Sequence, residues 1–396
     1  MAIYYEIDET SGLSAKIKVI GVGGGGGNAI NNMIRKNMTG VEFIVANTDA
    51  QAIENSQAEV RLQLGSEQTR GLGAGAKPQI GKEAAELEKD HLRELLVDTD
   101  MLFITAGMGG GTGTGAAPVI AEVAKEMGIL SVGIVTKPFA FEGRRRMKQA
   151  DAGIEELRKF IDTLIVIPNQ KLLGVVSKNT SLMDSFLEAD NVLYQAVKGI
   201  SDLIANSGYI NVDFADVKSV MSEEQSMAMM GTGRATGENR ACEAMEQAIA
   251  SSLLEDVNIQ GARAILINVT GNESVGLHEV DEAVSTISNL VDEDANIIFG
   301  IVNDPDMGED LSITVVATGL NHKEDLIVPA EPVQVVAIEK EVIEIPIQAE
   351  VRIPRAKDYA KFEVSKSARV AVKAGNAVAY DEEQLSIPTW IRKQAD

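Results

Sequence analysis

The sequence has little of what several protein classes need. A single cysteine, Cys242, excludes an internal disulfide framework and cysteine-rich metal sites. The three histidines, His91, His278 and His322, lie far apart and show no zinc spacing. Basic residues are outnumbered: 36 Lys+Arg face 59 Asp+Glu, a net charge of -23 over 396 residues. Such a surface repels phosphate backbones at long range, which argues against a general nucleic-acid binder. No apolar run approaches the ~20 residues of a membrane span, so direct membrane insertion is not expected. The first 16 residues have no apolar signal-peptide core, and a cytoplasmic location is the expectation. What the chain does have is hydrophobic residues at 45%, enough for real cores, and a length that suggests two or three domains.

Residues 17–22, 42–46, 101–105, 129–136 and 163–167 read as strands, with helical patterns at 82–97, 116–127 and 144–160. Strands alternating with helices predict a mostly parallel, Rossmann-like α/β sheet covered on both faces. A long helix is expected over 181–205, where Leu182, Phe186, Ala189, Leu193, Ala196, Ile200 and Leu203 form one apolar stripe. Core packing accounts for most of that stripe. Beyond it, a helix at 237–254, strands at 263–269, 296–302 and 312–318, and a helical segment at 277–290 predict a smaller α+β domain. The expected division is an extension at 1–15, a nucleotide domain at 16–180, the central helix at 181–210, the α+β domain at 211–321, a linker at 322–384 and a terminal peptide at 385–396.

The composition supports a linker. Five of the ten prolines lie from Pro329 onward. Residues 331–350 hold five acids and one base, and residues 351–373 hold seven bases and two acids. One or two extra strands near 327–344 are the competing reading. The last dozen residues set the only tryptophan, Trp390, between Ile387 and Ile391, beside Arg392. An apolar cluster with no core to join reads as a docking peptide, against the alternative of a frayed tail.

Glycine carries the chemistry. The run Gly23 to Gly27, between a strand and a helix expected from Ala29, is the unit that sets phosphate against backbone N–H groups. Alone it fits a dinucleotide as well as a nucleotide phosphate, and Asp49 lies where a ribose-binding acid would sit. A second segment, Gly-Gly-Gly-Thr-Gly-Thr-Gly at 109–115, shifts the balance toward a triphosphate. Its glycines can wrap a phosphate chain, and Thr112 and Thr114 can donate hydroxyl hydrogen bonds. A third loop, with Gly71, Gly73 and Gly75, can close over the end of the chain. None of the three is a Walker A loop: Asn28 follows the glycine run, and Pro78 follows Lys77. Asp213 and Asp216 flank Phe214 and Ala215. They read either as surface acids of a capping loop or as a pair able to orient a water.

The 109–115 segment is the signature of the tubulin/FtsZ family. The segments at 21–29, 47–51, 137–143, 211–216 and 387–392 also resemble that family, over 15–321 and again at 385–396. The resemblance implies a GTPase that assembles head to tail into protofilaments and forms a cell-division ring at the inner face of the cytoplasmic membrane. It implies that Gly24, Gly25, Gly75 and residues 109–115 (Gly109, Gly110, Gly111, Thr112, Gly113, Thr114 and Gly115) bind the phosphates of GTP or GDP. Mg²⁺ would be carried by the nucleotide, with no dedicated protein metal site. Asn28 and Asp190 match guanine positions, Phe186 the ring beside the base, and Glu142 and Arg146 the ribose and phosphate contacts. A carboxylate at 190 suits guanine, which offers both N1–H and N2–H₂. Asp213 and Asp216 match acids that one subunit inserts into its neighbour's site. Ile387, Pro388, Trp390, Ile391 and Arg392 match a peptide that docks membrane anchors of the FtsA or ZipA type. Trp390 departs from the commoner phenylalanine and keeps the aromatic character.

Overall fold

The structure is a computed structural model that describes residues 15–174, 180–205, 208, 210–222, 226–251, 253–254, 259–320, 369–373 and 376–380. The chain forms two compact units, Met1–Ala330 and Glu331–Asp396. The N-terminal half of the first unit runs β1 (Ile17–Val22), α1 (Gly23–Arg35), β2 (Glu42–Asn47), α2 (Ala50–Glu54), β3 (Val60–Gln63), α3 (Ser66–Thr69), α4 (Pro78–Leu87) and α5 (Lys89–Leu95). It continues through β4 (Met101–Gly107), α6 (Thr112–Glu126), β5 (Leu130–Lys137), α7 (Arg144–Arg158), β6 (Thr163–Pro168) and α8 (Asn169–Leu172). The long helix α9 (Leu182–Ala205) leads to α10 (Phe214–Met221) and β7 (Ser226–Thr236). The last elements of this unit are α11 (Arg240–Ile249), β8 (Ala264–Gly271), α12 (Leu277–Ser288), β9 (Asn296–Asn303) and β10 (Asp310–Thr318).

The strands β1 to β10 belong to one sheet, ordered β3-β2-β1-β4-β5-β6-β7-β10-β8-β9. The strands from β3 to β6 are parallel, and alternate residues serve opposite faces. Val19, Met101 and Phe103 point to the face covered by α1 and α9, while Ile20, Leu102 and Ile104 point to the face covered by α4 to α7. Burial on both faces is why these strands read as continuous apolar runs. A third core lies between α11, α12 and the strands β8 to β10.

Two strands escape the sequence pattern. β3 is only four residues long, with Arg61 and Gln63 among them. β7 begins Ser-Met-Ala-Met-Met-Gly-Thr-Gly and has no clean alternation. β7 nevertheless pairs with β6 in parallel at Thr163–Ser226, Leu164–Met227 and Ile165–Ala228, so the sheet of the N-terminal half runs on into the C-terminal half. In the second unit, β11 (Arg369–Lys373) pairs antiparallel with β12 (Asn376–Tyr380). The strands expected near 327–344 on the competing reading, and the terminal docking peptide, lie outside the described residues.

Candidate functional site

Both glycine segments form helix starts, where the sequence pattern predicts loops. α1 begins at Gly23 and α6 at Thr112, so all five glycines of the first run and two of the second lie inside first or second turns. Glycine is a poor helix former, and that is why the pattern points to a loop. Close packing is the reason it is there. A Cβ on Gly23, whose φ is +71°, would stand 2.8 Å from the Gly113 nitrogen, so the two helix starts lie side by side. Gly109, at φ +98°, passes so close to the Arg146 backbone that a Cβ would come within 2.6 Å of its carbonyl oxygen.

Gly24 and Gly110 are different. Neither has a positive φ, and a Cβ on either would meet nothing within 4 Å. Local packing does not demand glycine at these positions; they leave bare backbone on a cleft wall. Neither α1, after Val22, nor α6, after Gly111, has a side-chain cap. Two helix N-termini with uncapped N–H groups and positive dipole ends thus converge on one open space. This is a ready anion site, at the carboxyl ends of β1 and β4.

The cleft continues from there to a second end. Its glycine-lined part is formed by Gly24, Gly25, Gly75, Gly110, Thr112 and Arg146, among others. Gly25 and Arg146 also line the adjoining part, with Asn28, Glu142, Phe186 and Asp190. Gly24, Gly25 and Asn28 occupy one exposed face of α1, spaced by a turn. Phe186 and Asp190 are one turn apart on α9. Phe186 does not join the core: it is 39% exposed, edge-on to Phe139 with ring centroids 5.3 Å apart. Burial pushes the Asp190 carboxyl up to about 7 from 3.8, against the opposing pull of the Arg35 charge. Glu142 accepts the Phe139 N–H at 2.8 Å and pairs with Arg146 at 2.9 Å, which holds the guanidinium between the two parts of the cleft.

Some expected ligands are scaffold instead. Gly109, Thr114 and Gly115 build the wall and do not line it. Thr114 is 3% exposed and its hydroxyl oxygen accepts the Gly109 N–H at 2.8 Å, fixing the turn. Gly115 lies against α4, where a Cβ would overlap the Pro78 carbonyl oxygen. Asp49, the acid a dinucleotide site would use, caps α2: its Oδ1 accepts from Gln51 and Ala52 at 3.0 and 3.3 Å. It lines the glycine end, not the end with Phe186 and Asp190.

One cleft residue carries no mark in the sequence pattern. Asn169, directly after β6, lines the cleft beside Phe186 and Asp190, and is 5% exposed. Its Oδ1 is buried without a hydrogen-bond partner, an unusual state for an amide and one that a ligand donor would relieve. Its position at the carboxyl end of a parallel strand is the one signal that could have found it.

Asp213 and Asp216 are not in the cleft. Asp213 sits at the N-cap of α10 without making a capping bond, Asp216 lies in its first turn, and both are exposed. α10 ends against the amino end of β6, where the Thr163 hydroxyl donates to the Met221 carbonyl. The cleft lies at the carboxyl ends of the same strands. α9 is 24 residues long, ~36 Å. Phe186 and Asp190 near its start line the cleft, and its last residue, Ala205, lies against Gly40 ahead of the amino end of β2, so one chain holds the acids and the glycine cleft at opposite edges of its sheet.

The sequence profile of the GTPase domain of the tubulin/FtsZ family matches residues 16–177, and the profile of the FtsZ family C-terminal domain matches residues 226–321. A cell division protein FtsZ from Azotobacter vinelandii is 50% identical over 99% of this chain and 100% of its own length. The chain belongs to the tubulin/FtsZ family. A cell division protein FtsZ from Coxiella burnetii is 57% identical over 80% of this chain and 82% of that protein. A solved structure of an empty FtsZ dimer from M. jannaschii is 46% identical, with a TM-score of 0.74 over 77% of this chain and 88% of that one. Within the family framework the uncapped helix starts and the cleft belong to a GTPase domain.

Proposed function

We propose that the cleft holds GTP with its phosphates over the N-termini of α1 and α6 and its base between Asn28, Phe186, Asn169 and Asp190. Hydrolysis is then completed by Asp213 and Asp216 of the next subunit. The chain is a GTP-hydrolysing, polymerising cell-division protein of the tubulin/FtsZ family. The observation that carries the split site is a separation within one chain: a bare glycine cleft at one edge of the sheet and two exposed acids at the other. Stacking subunits along the strand direction sets the acidic edge of one on the cleft of the next, and repetition of that contact gives a head-to-tail filament.

The division of labour follows from chemistry. Backbone N–H groups and Arg146 bind the phosphates and stabilise charge that builds up on them. A carboxylate at 213 or 216, without a protein partner among the described residues, accepts a hydrogen bond from a water and orients it toward the terminal phosphorus. Asp190 accepts from guanine N1–H and N2–H₂, which adenine does not offer. Among the described residues no three His, Cys, Asp or Glu side chains cluster to hold a metal. A magnesium ion arriving with the triphosphate would be held by phosphate oxygens, water and the Asp49 carboxylate, and would offset the phosphate charge there.

The protein works in the cytoplasm on this reading, in a mid-cell ring at the inner face of the membrane. No helix among the described residues is long and apolar enough to cross a membrane. Attachment falls to the peptide with Ile387, Pro388, Trp390, Ile391 and Arg392, which docks anchors of the FtsA or ZipA type. Deleting 385–396 should leave GTP-driven polymers intact and abolish anchor binding.

Light scattering and phosphate release, followed together over a range of protein concentrations, test the split site. With GTP, specific activity should be near zero when dilute and rise with assembly; with ATP neither signal should appear. Equal turnover per subunit at every dilution would contradict it.

A further inference from the structure

Thr48 is fully buried, 0% exposed, and its hydroxyl lies 2.6 Å from that of Thr112, on the cleft wall. The geometry points to Thr48 as a positioning residue that turns the Thr112 hydroxyl into an obligatory donor toward the phosphate end of the cleft. This rests on the proposed placement of the phosphates over α6.

Two hydroxyls bring two protons to one short contact, and only one proton lies between the oxygens. Among the described residues neither oxygen has another side-chain or backbone partner. Thr48 is walled in, so the only acceptor for its proton is the Thr112 oxygen. Leaving a buried hydroxyl proton unpaired is costly, which sets the direction of the bond. With its oxygen accepting from Thr48, Thr112 must send its own proton elsewhere, and the cleft is what it lines. The arrangement favours an anion there and strengthens the outward bond, because a hydroxyl that accepts one hydrogen bond is a better donor in the next.

The backbone of Thr48 supports this placement. Its carbonyl accepts from the Thr69 hydroxyl at 3.2 Å and from the Gly73 N–H at 3.3 Å. Thr48 therefore ties the third glycine loop to the start of α6. Neither a hydropathy pattern nor a glycine motif marks it.

The test is a double-mutant cycle read by the affinities for GTP and for guanosine, which lacks phosphates. Thr48→Val keeps the shape and removes the proton. It should weaken GTP binding by ~3–10-fold and leave guanosine binding unchanged, the loss expected for one neutral hydrogen bond. Thr48→Ser should restore GTP affinity. In a Thr112→Val background, Thr48→Val should have no further effect on GTP. Unchanged GTP affinity in Thr48→Val, an equal loss for guanosine, or full additivity with Thr112→Val would overturn the inference and leave Thr48 a packing residue. If Thr112→Val alone binds GTP normally, the phosphate placement itself falls, and this inference with it.

Discussion

The two ends of the cleft are built from different materials. The end proposed for the phosphates is backbone: uncapped N–H groups of α1 and α6 exposed by glycine. The end proposed for the base is side chain: Asn28, Asn169, Phe186 and Asp190, drawn from α1, α8 and α9. A phosphate presents acceptors in every direction and is met well by a nest of amides. A base presents a fixed edge and needs donors and acceptors placed by rotamer. The first end is therefore sensitive to added bulk, and the second carries Asp190, whose ionisation changes near neutral pH.

Adding bulk at the backbone end should give the largest effect. Gly24→Val introduces a side chain into space that is open in the protein, so thermal stability should change little. GTP affinity should fall by at least ~100-fold, because the side chain occupies the phosphate position. A valine that leaves GTP titrations unchanged would remove α1 from the phosphate site. At the other end, Asp190→Ala should weaken GTP by ~10–100-fold, the range for a charge-assisted hydrogen bond. It should also erase discrimination against ATP, which competition binding measures directly.

Titration separates the ends next. Burial holds the Asp190 carboxyl at about 7, whereas guanine favours its ionised form. Binding must then expel a proton below pH 7, and GTP affinity should fall by up to ~10-fold per unit as pH drops from there. Asp190→Asn should flatten that slope. The same shift has a stability sign. Folding raises this carboxyl from 3.8, so its ionisation costs stability as pH rises from about 4 to 7. Nucleotide-free Asp190→Asn should accordingly melt higher than the parent protein at pH 8. The smallest effect belongs to Asn169→Ala, ~2–10-fold on GTP affinity, one neutral hydrogen bond.

The contrast also explains what is legible in the sequence. Glycine in a run is visible because few other uses require it, so the segments at 23–27 and 109–115 mark the glycine-lined end of the cleft by composition alone. The same glycines hide the true starts of α1 and α6, since helix propensity predicts a loop there. Phe186 shows only as part of an apolar stripe, and the family resemblance is needed to set it apart. Asn169 shows only by its place at the end of β6, because a single amide after a strand looks like any other turn residue. β7 is hidden for a tertiary reason: its pairing with β6 and β10 secures a stretch of methionine and glycine with no strand period of its own. The wide separation of Asp213 from the cleft follows from chain order. That the two lie at opposite edges of one sheet is a property of its topology, which no local pattern carries.

The split site is the central claim, and subunit mixing tests it most directly. Asp213→Ala keeps a sound cleft and lacks an acid; Gly24→Val keeps sound acids and has a blocked cleft. Each alone should hydrolyse GTP slowly. Mixed, they should recover part of the parent turnover at junctions that join the two sound halves. Co-assembly with no recovery would contradict the claim and place acid and phosphate chemistry within one chain.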